Sequence, residues 1–171
     1  MRKIILAALF IIFHCSIVQS QSKSMSMELN DTWFGLESSL DGNPVILRGR
    51  DHLNNFKKSG IYSNLIELTW KMENPTDNGI PTPKENIFMG EIEDALIESL
   101  EYDLQTILTI VHTTNNERTW IFYTTSVSEF GKRLNNTLSN YRRIPIEMET
   151  EEDADWDLYS EILANHQVRI K

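Results

Sequence analysis

The sequence predicts an α+β domain, with an antiparallel sheet and two helices on one face of that sheet. Two observations carry this prediction. From Asn64 onward, segments that alternate every second residue and segments with helical periodicity follow one another as strand, helix, strand, strand, helix, strand. Both helical segments open with a capping signal, at Thr82 and at Ser126. Strand–helix–strand taken twice is the ferredoxin-like plan. We expect it over about residues 64–150, after an N-terminal β-hairpin and before a C-terminal helix.

The first twenty residues have the pattern of a secretory signal peptide. A basic pair at positions 2 and 3 precedes an uncharged run from Ile4 to Val18, and Gln19-Ser20 follows. We expect cleavage after Ser20, because this run is shorter than the ~20 apolar residues that span a bilayer comfortably. A retained anchor is the alternative, and the bulky His14 disfavours lipidation at Cys15. The predicted location is secreted or periplasmic, with no stable membrane span after cleavage.

The chain beyond the predicted cleavage point is long enough for one domain, at roughly 150 residues. We expect a disordered lead-in over residues 21–30 and a single domain over residues 31–171. Cys15 is the only cysteine, so the mature chain would lack disulfides and thiolate chemistry. Without Arg2 and Lys3, 14 basic residues stand against 25 acidic residues, which is a net charge of −11. Such a surface repels polyanions, so nucleic acid is excluded as a favoured partner.

The first elements follow from turn signals and alternation. Thr32–Glu37 and Pro44–Arg48 are predicted to form the hairpin, with its turn at Asp41-Gly42. Asp51–Ser59 is ambiguous, and a single helical turn is one interpretation of it. Asn64–Met72 alternates clearly and is predicted to be a strand that ends where turn-forming residues begin.

The strongest helix signal starts at Thr82. Thr82-Pro83-Lys84-Glu85 combines an N-cap, a proline at the first helical position and a glutamate at the third, and the helix should extend to about Tyr102. Gly90 within it would allow a close approach to the sheet. The stripe predicted to be buried is Phe88, Ile92, Ala95, Leu96, Ser99 and Leu100. The side predicted to face solvent carries Glu91, Asp94, Glu98 and Glu101.

The second half of the domain repeats this alternation of strands and helices. A turn is predicted at Asn115-Asn116, a helix from the capping box at Ser126–Glu129, and a terminal helix from about Asp155. Pro145 indicates an edge or a bulge in the last strand. The predicted strands are Leu104–Thr113, Arg118–Thr125 and Arg142–Glu149.

Several short motifs, taken in order, resemble a known family. They are Asn78-Gly79-Ile80-Pro81 followed by Glu85, Ile92-Glu93-Asp94, Phe122-Tyr123, and Trp156 with Tyr159 after an acidic segment. Their order and spacing resemble an uncharacterised bacterial group, the domain of unknown function family 695, over most of Thr32–Leu163. The resemblance implies a ferredoxin-like α+β fold and supplies no catalytic residues. The C-terminal half is also similar to the regulator of ribonuclease E activity B, an inhibitor that binds its enzyme by protein contacts. A signal peptide argues against that cytoplasmic target.

Candidate chemistry in the sequence is sparse. His112 alternates with Leu108 and Ile110, and a general base there would need a carboxylate or hydroxyl partner that the sequence does not identify. The Gly-x-Ser-x-Gly elbow of serine hydrolases does not occur. The acidic run over residues 147–157 lacks the glycine and the spacing of a calcium loop, so a solvated acidic surface is favoured. We expect no metal and no cofactor, and a hydrolase that uses carboxylates with His112 is the least favoured function.

Aromatic side chains are the remaining candidates for a binding surface. Core packing is the competing interpretation for all of them. The lead hypothesis is a non-enzymatic module that binds an unidentified protein partner through an open sheet face or a sheet edge. The alternatives are a small-ligand or carbohydrate-binding domain with exposed aromatics, and a homodimer formed through the sheet. The candidate binding residues are Trp70, Trp120, Tyr123, His112, Trp156 and Tyr159.

Overall fold

The computed structural model describes residues 27–40 and 42–169. The predicted signal peptide and residues 21–26 of the predicted lead-in lie outside the described residues. The described part of the chain forms strands β1 (Trp33–Leu40), β2 (Asn43–Arg50), β3 (Asn64–Lys71), β4 (Thr106–Thr114), β5 (Glu117–Thr124) and β6 (Ile146–Glu152). Its helices are α1 (Asn54–Ser59), α2 (Pro83–Glu101), α3 (Val127–Leu138) and α4 (Asp157–Arg169).

All of these strands belong to one antiparallel sheet in the order β1-β2-β4-β5-β3-β6. The elements β3, α2, β4, β5, α3 and β6 follow one another as predicted, which confirms the α+β class. The predicted N-terminal hairpin is β1–β2, and it extends the sheet beside β4. The finer ferredoxin-like assignment remains a prediction drawn from the element order.

One face of the sheet is covered by α2 and α3, which start at the two predicted capping signals. The Thr82 hydroxyl accepts a hydrogen bond from the Glu85 amide at 3.3 Å, and the Ser126 hydroxyl accepts one from the Glu129 amide at 3.3 Å. Apolar residues of both helices pack on the sheet and form the larger core. Its buried members include Ile66, Leu68, Trp70, Met89, Ile92, Leu96, Leu100, Leu108, Trp120, Phe122 and Phe130.

The opposite face is covered in part by α1 and α4. The ambiguous segment before β3 contains α1, and α4 begins just after Trp156, which has a φ of 55°. The hypothesis of an open sheet face therefore applies only to the part that these two helices leave uncovered. Their smaller core is formed by Leu53, Phe56, Tyr62, Leu65, Ile107, Ile110, Ile121, Tyr123, Trp156 and Tyr159.

The loop between β3 and α2 packs against the β4–β5 turn. Asn115 and Asn116 have φ values of 49° and 64°, as a two-residue hairpin turn requires. Gly79 has a φ of 70°, and a Cβ at this position would lie 2.9 Å from the Asn115 amide nitrogen. The Asn116 amide donates to the Gly79 carbonyl at 2.8 Å, and the Asn116 side chain accepts from the Thr76 amide at 2.7 Å. Glycine is therefore required here by both conformation and space.

The structure corrects the predicted orientation of Glu101. This carboxylate was expected to face solvent, but its side chain is 8% exposed and lies 2.9 Å from the Arg50 guanidinium. It also accepts a hydrogen bond from the Leu108 amide at 2.6 Å. An arginine supplied by β2, distant in sequence, makes the inward orientation favourable, because a buried charge must be paired.

The last strand is shifted relative to its prediction. It was expected over Arg142–Glu149, whereas β6 spans Ile146–Glu152. Arg142 instead points its guanidinium at Glu73, with an N–O distance of 2.5 Å. Pro145 lies just before the strand, where the absence of a backbone N–H costs no hydrogen bond within β6. Its carbonyl accepts a hydrogen bond from the Lys71 amide at 3.0 Å.

Candidate functional site

The part of the sheet face beyond α1 and α4 is polar toward β6. Glu67 of β3 pairs in register with Glu149 of β6, and Glu147 and Glu151 lie two residues to either side of Glu149. Paired residues in antiparallel strands share a face, and so do alternate residues along a strand. These four carboxylates therefore project from one surface. We call Glu67, Glu147, Glu149 and Glu151 the acidic edge.

The charges of the acidic edge are only partly compensated by the residues that the structure describes. Lys71 Nζ lies 2.7 Å from Glu147 Oε2, in a pair that is largely exposed. Burial raises the pKa of Glu67, and the charges of Glu149 and Glu151 raise it further. The negative charges of Glu67, Glu149 and Glu151 thus repel one another in the protein without a bound partner.

β6 is an edge strand in the sheet formed by the described residues. The Asp153 amide donates to the Ser63 carbonyl at 2.9 Å, and the Pro145 carbonyl accepts from the Lys71 amide at 3.0 Å. Consecutive residues of a strand direct their backbone polar groups to opposite sides. The odd-numbered residues of β6 therefore face β3, and the even-numbered residues, with the exposed Thr150 at the centre, direct their amides and carbonyls away from it.

His112 lies on the same face of the sheet as the acidic edge, but on β4. It pairs with Leu47 of β2 and with Thr119 of β5, and its side chain is half-buried. Burial lowers the pKa of His112, while the charge of Glu117 raises it. The described side chains include no carboxylate that is hydrogen-bonded to this imidazole, so the arrangement lacks the partner that a general base would need.

Trp70 and Trp120 are buried on the opposite face, beneath α2. The Trp70 indole donates to Glu85 at 3.1 Å, and the Trp120 indole donates to Glu93 at 2.7 Å. The two rings pack edge to face with centroids 6.4 Å apart. Neither ring is exposed, so both agree with core packing and not with a stacking platform.

Tyr123, Trp156 and Tyr159 form an aromatic cluster that attaches α4 to the sheet. The rings of Tyr123 and Trp156 are stacked at 4.0 Å. The Trp156 indole donates to the Tyr62 carbonyl at 2.9 Å, and the Tyr159 hydroxyl donates to the Arg50 carbonyl at 2.8 Å. Burial raises the pKa of Tyr159 to about 12. These side chains are buried, so an exposed platform built from them is not supported.

The sequence analysis missed three buried carboxylates of α2. Glu85, Glu93 and Glu101 recur every eight residues, a little more than two helical turns, and all three face the sheet. Glu93 pairs with Arg48 of β2, and Glu101 pairs with Arg50 two residues further along the same strand. The eight-residue spacing in α2, together with arginines at alternate positions of β2, is a signal that could have indicated this arrangement.

Among the described residues, clefts lie beside α2, one toward its start and one beside its middle. One, of about 560 Å³, lies beside its first turn, and its Arg142 and Glu73 pair with each other. The second, of about 350 Å³, lies between α2 and strands β2, β4 and β5 and contains Arg48 and Arg118. We call it the α2–β2 cleft. Burial lowers the pKa of Arg118, the charge of Glu93 raises it and that of Arg48 lowers it.

The described residues offer neither a metal site nor a membrane-spanning helix. Among the residues that the structure describes, no group of three or more histidine, cysteine, aspartate or glutamate side chains is arranged so that it could hold a metal ion. No helix in the described ranges combines the length and the apolar character needed to cross a membrane.

Comparison with known proteins identifies the family. A family model described as a family of unknown function (DUF695) matches residues 31–164. The chain belongs to the DUF695 family. The match runs from the residues before β1 into α4, and it confirms the resemblance drawn from the sequence motifs. The similarity to the regulator of ribonuclease E activity B remains a prediction. No significant match was found among curated proteins or among solved structures.

The motifs that carried the DUF695 resemblance have structural partners in this fold. Gly79 allows the loop before α2 to contact the β4–β5 turn, and Glu85 binds the Trp70 indole. Glu93 binds the Trp120 indole, and Trp156 stacks on Tyr123. Two other surfaces, the acidic edge and the α2–β2 cleft, are the candidates for binding, and Glu93 of the motif contributes to the wall of the cleft.

Proposed function

We propose that this DUF695 protein is a secreted or periplasmic protein-interaction module that binds a basic, extended segment of a partner protein along β6. The partner segment would add a strand to the sheet and place its lysine or arginine side chains over the acidic edge. Strand addition is a common mode of peptide recognition, in which backbone hydrogen bonds give affinity and side chains give specificity. The observation that carries this proposal is the position of the acidic edge beside the outward-facing backbone of β6.

The backbone of β6 supports strand addition. Its even-numbered amides and carbonyls point away from β3, and Thr150 at its centre is exposed. An unpaired edge is a template for another strand, and proteins protect such edges with charge when pairing is unwanted. Here the charged side chains Glu147, Glu149 and Glu151 all carry the same sign, so they disfavour most partners and favour basic ones.

The electrostatics of Glu67 support a cationic partner. Burial and the charges of Glu149 and Glu151 raise the pKa of Glu67, which means that its charged form is disfavoured in the free protein. A lysine or arginine placed among these carboxylates would relieve the repulsion. Charge complementarity of this kind contributes to specificity and to the rate of association.

The proposed location has its support in the sequence. The pattern of the first twenty residues is that of a secretory signal peptide.

A homodimer through β6 is disfavoured within this proposal, because edge-to-edge pairing would bring two acidic edges together, and like charges on neighbouring strands repel.

A defined peptide tests the proposal. The probe is a synthetic peptide in which lysine alternates with threonine, and its binding is measured by calorimetry and by amide shifts of β6. The double variant Glu149→Lys/Glu151→Lys should weaken binding about tenfold or more, because two favourable contacts become repulsive. The matched control is Glu91→Lys/Glu98→Lys, which makes the same change in net charge on the exposed side of α2.

The two variants separate a local site from a general charge effect. Retained affinity in the α2 control, with loss in the β6 variant, supports the proposal. Equal losses in both variants would mean that the peptide responds only to net charge, and the proposal would be rejected. It would equally be rejected if the unchanged protein gave no saturable binding. A crosslinking pull-down from the extracytoplasmic fraction, with the same variants, then identifies the natural partner.

A further inference from the structure

The α2–β2 cleft is an open space between the middle of α2 and the sheet. Gly90, at the centre of α2, lines it. A Cβ at Gly90 would meet nothing within 4 Å, so the glycine is not needed for the close approach to the sheet that the sequence suggested. Glycine in a helix interior is unfavourable relative to alanine. Its effect here is to leave the cleft unfilled.

Arg118 of β5 is placed in this cleft with neutral partners. Its Nε donates to Thr113 Oγ1 at 3.0 Å, and its Nη2 donates to Asn86 Oδ1 at 2.7 Å. It has no ion pair with any carboxylate that the structure describes. By contrast, Arg48, which also lines the cleft, pairs with Glu93, and Glu93 in turn accepts a hydrogen bond from the Trp120 indole. The guanidinium of Arg118 is therefore held in position while its charge is left uncompensated by a direct partner.

We propose that the α2–β2 cleft binds the carboxylate group of a small organic molecule, with Arg118 as its principal ligand and Arg48 beside it. A guanidinium presents two parallel N–H donors, which match the two oxygens of a carboxylate. Ile46 and Val111 line the same cleft and supply apolar contact for the rest of the molecule. The volume of about 350 Å³ is at the lower end of the range for small-molecule sites.

The acidic residues of the cleft favour a monoanion over a phosphate. Glu93 and Asp94 both line it, and Glu93 already neutralises Arg48. Arg48 and Arg118 together balance Glu93 and Asp94, so a monoanion that binds Arg118 adds one negative charge to a neutral cleft. A dianion would add two and would be repelled more strongly by the carboxylates. The site thus has the composition expected for a carboxylate with an apolar body.

This inference is independent of the proposed interaction at β6. The cleft lies on the face of the sheet that α2 covers, and Arg48 pairs in register with Val111 on that face. The acidic edge lies on the other face. Failure of either proposal would therefore leave the other unaffected, because different residues and different ligands test them.

The test is a ligand titration monitored by NMR, and it uses the protein as it is purified after expression, without further truncation. The probe is 3-methylbutanoate, and the neutral isostere 3-methylbutanol is the control ligand. The Trp120 indole N–H serves as a reporter, since it donates to Glu93 in the cleft wall. Arg118→Gln should weaken 3-methylbutanoate binding about tenfold or more, as expected for loss of a charged hydrogen-bonding partner.

A second pair of variants tests the cleft without removing charge. Gly90→Leu should fill the space and abolish binding, while Gly131→Leu, at a glycine of α3 that also has nothing within 4 Å of its Cβ position, should leave binding unchanged. Equal binding of the alcohol, or unchanged binding in Arg118→Gln and Gly90→Leu, would overturn the proposal, as would the absence of saturable shifts. A tripeptide with a free C-terminal carboxylate, compared with its amide, shows whether a chain end or a free small acid is the better source of the group.

Discussion

At the scale of single residues, the carboxylates of α2 that face the sheet define how the helix is attached. Each one binds groups from other elements. Glu85 accepts from the Trp70 indole and from the Glu73 amide, at 3.1 and 2.7 Å. Glu101 receives two bonds from the Arg50 guanidinium, at 2.9 and 3.0 Å. Because a buried carboxylate is tolerated only when such partners are present, these contacts fix the position of α2 on the sheet more specifically than apolar packing alone would.

The Arg50–Glu101 pair should therefore be sensitive to loss of one partner. The two side chains are 3% and 8% exposed, so Arg50→Met would leave a buried carboxylate without its cation and should cost about 3–5 kcal/mol of unfolding free energy. The control is Arg142→Met, which removes an exposed, solvent-screened pair with Glu73 and should change the unfolding free energy far less. Urea unfolding of both variants measures the difference. Equal losses of unfolding free energy in the two variants would show that the buried Arg50–Glu101 pair stabilises the protein no more than the exposed Arg142–Glu73 pair does.

His112 should contribute to the dependence of stability on pH. Burial lowers its pKa in the folded protein, whereas the unfolded chain should have a value of about 6.5. The folded state thus binds fewer protons at this site than the unfolded chain does. The contribution of His112 to the unfolding free energy is therefore fully present above about pH 6.5, and it is lost as the pH falls from there toward the folded pKa. His112→Gln should remove this part of the profile. Urea unfolding at a series of pH values measures it, and the exposed His52→Asn serves as the control. An unchanged profile in His112→Gln would contradict the assignment.

At the scale of secondary-structure elements, β6 offers a test of strand addition that keeps its side-chain charges. Thr150 directs its amide away from β3, so Thr150→Pro removes an outward donor and leaves the ladder with β3 intact. We expect binding of the lysine–threonine peptide to fall strongly while the thermal unfolding midpoint changes little. The measurement is calorimetry paired with thermal unfolding.

A matched proline variant completes this test. Glu149 directs its amide toward β3, so Glu149→Pro should break a ladder hydrogen bond and lower the unfolding midpoint clearly. Unimpaired peptide binding in Thr150→Pro would mean that the partner contacts only side chains. In that case strand addition would be incorrect, although the acidic edge could still be the contact surface.

The elements also show what the sequence alone could predict. The capping box at Thr82 and the one at Ser126 are local signals, and α2 and α3 begin there. Helical periodicity placed Ile92, Leu96 and Leu100 correctly in the core. It assigned Glu101 to solvent because polarity was the only available guide, and the arginine that pairs with it lies on a strand 51 residues away. Contacts of this kind depend on the order of strands, which local patterns do not contain.

The candidate surfaces were less predictable than the elements for the same reason. The acidic run after Pro145 was evident in the sequence, but its position at a sheet edge beside Glu67 depends on the pairing of β6 with β3. Aromatic residues such as Trp120 were candidates by residue type, and their burial follows from the two helix layers. Arg118 carried no recognisable motif, since its neutral hydrogen-bond partners Thr113 and Asn86 lie on separate elements.

At the scale of the whole molecule, acidic groups lie on both sides of the sheet, in α2 and along β6, while three arginines lie on the α2 side. Arg48, Arg50 and Arg118 lie on the face that α2 covers, whereas the acidic edge lies on the other. The full chain has a net charge of −9, so its long-range field attracts cations, while the arginines act only at short range inside the cleft. A basic protein would therefore be drawn to the molecule, and a small carboxylate would have to diffuse into a local site.

This distribution leads to different effects of salt on the two proposed interactions. The association rate of the lysine–threonine peptide should fall steeply with ionic strength, because the net charge of −9 and the exposed acidic edge steer it over distances that salt screens, about 10 Å at 0.1 M. Binding of 3-methylbutanoate should change little, or strengthen slightly, since screening reduces the general repulsion of an anion while the contact with the partly buried Arg118 is screened less. Stopped-flow measurements for the peptide and NMR titrations for the carboxylate, at matched salt concentrations, test both. A peptide rate that does not depend on salt would show that the acidic edge does not steer association.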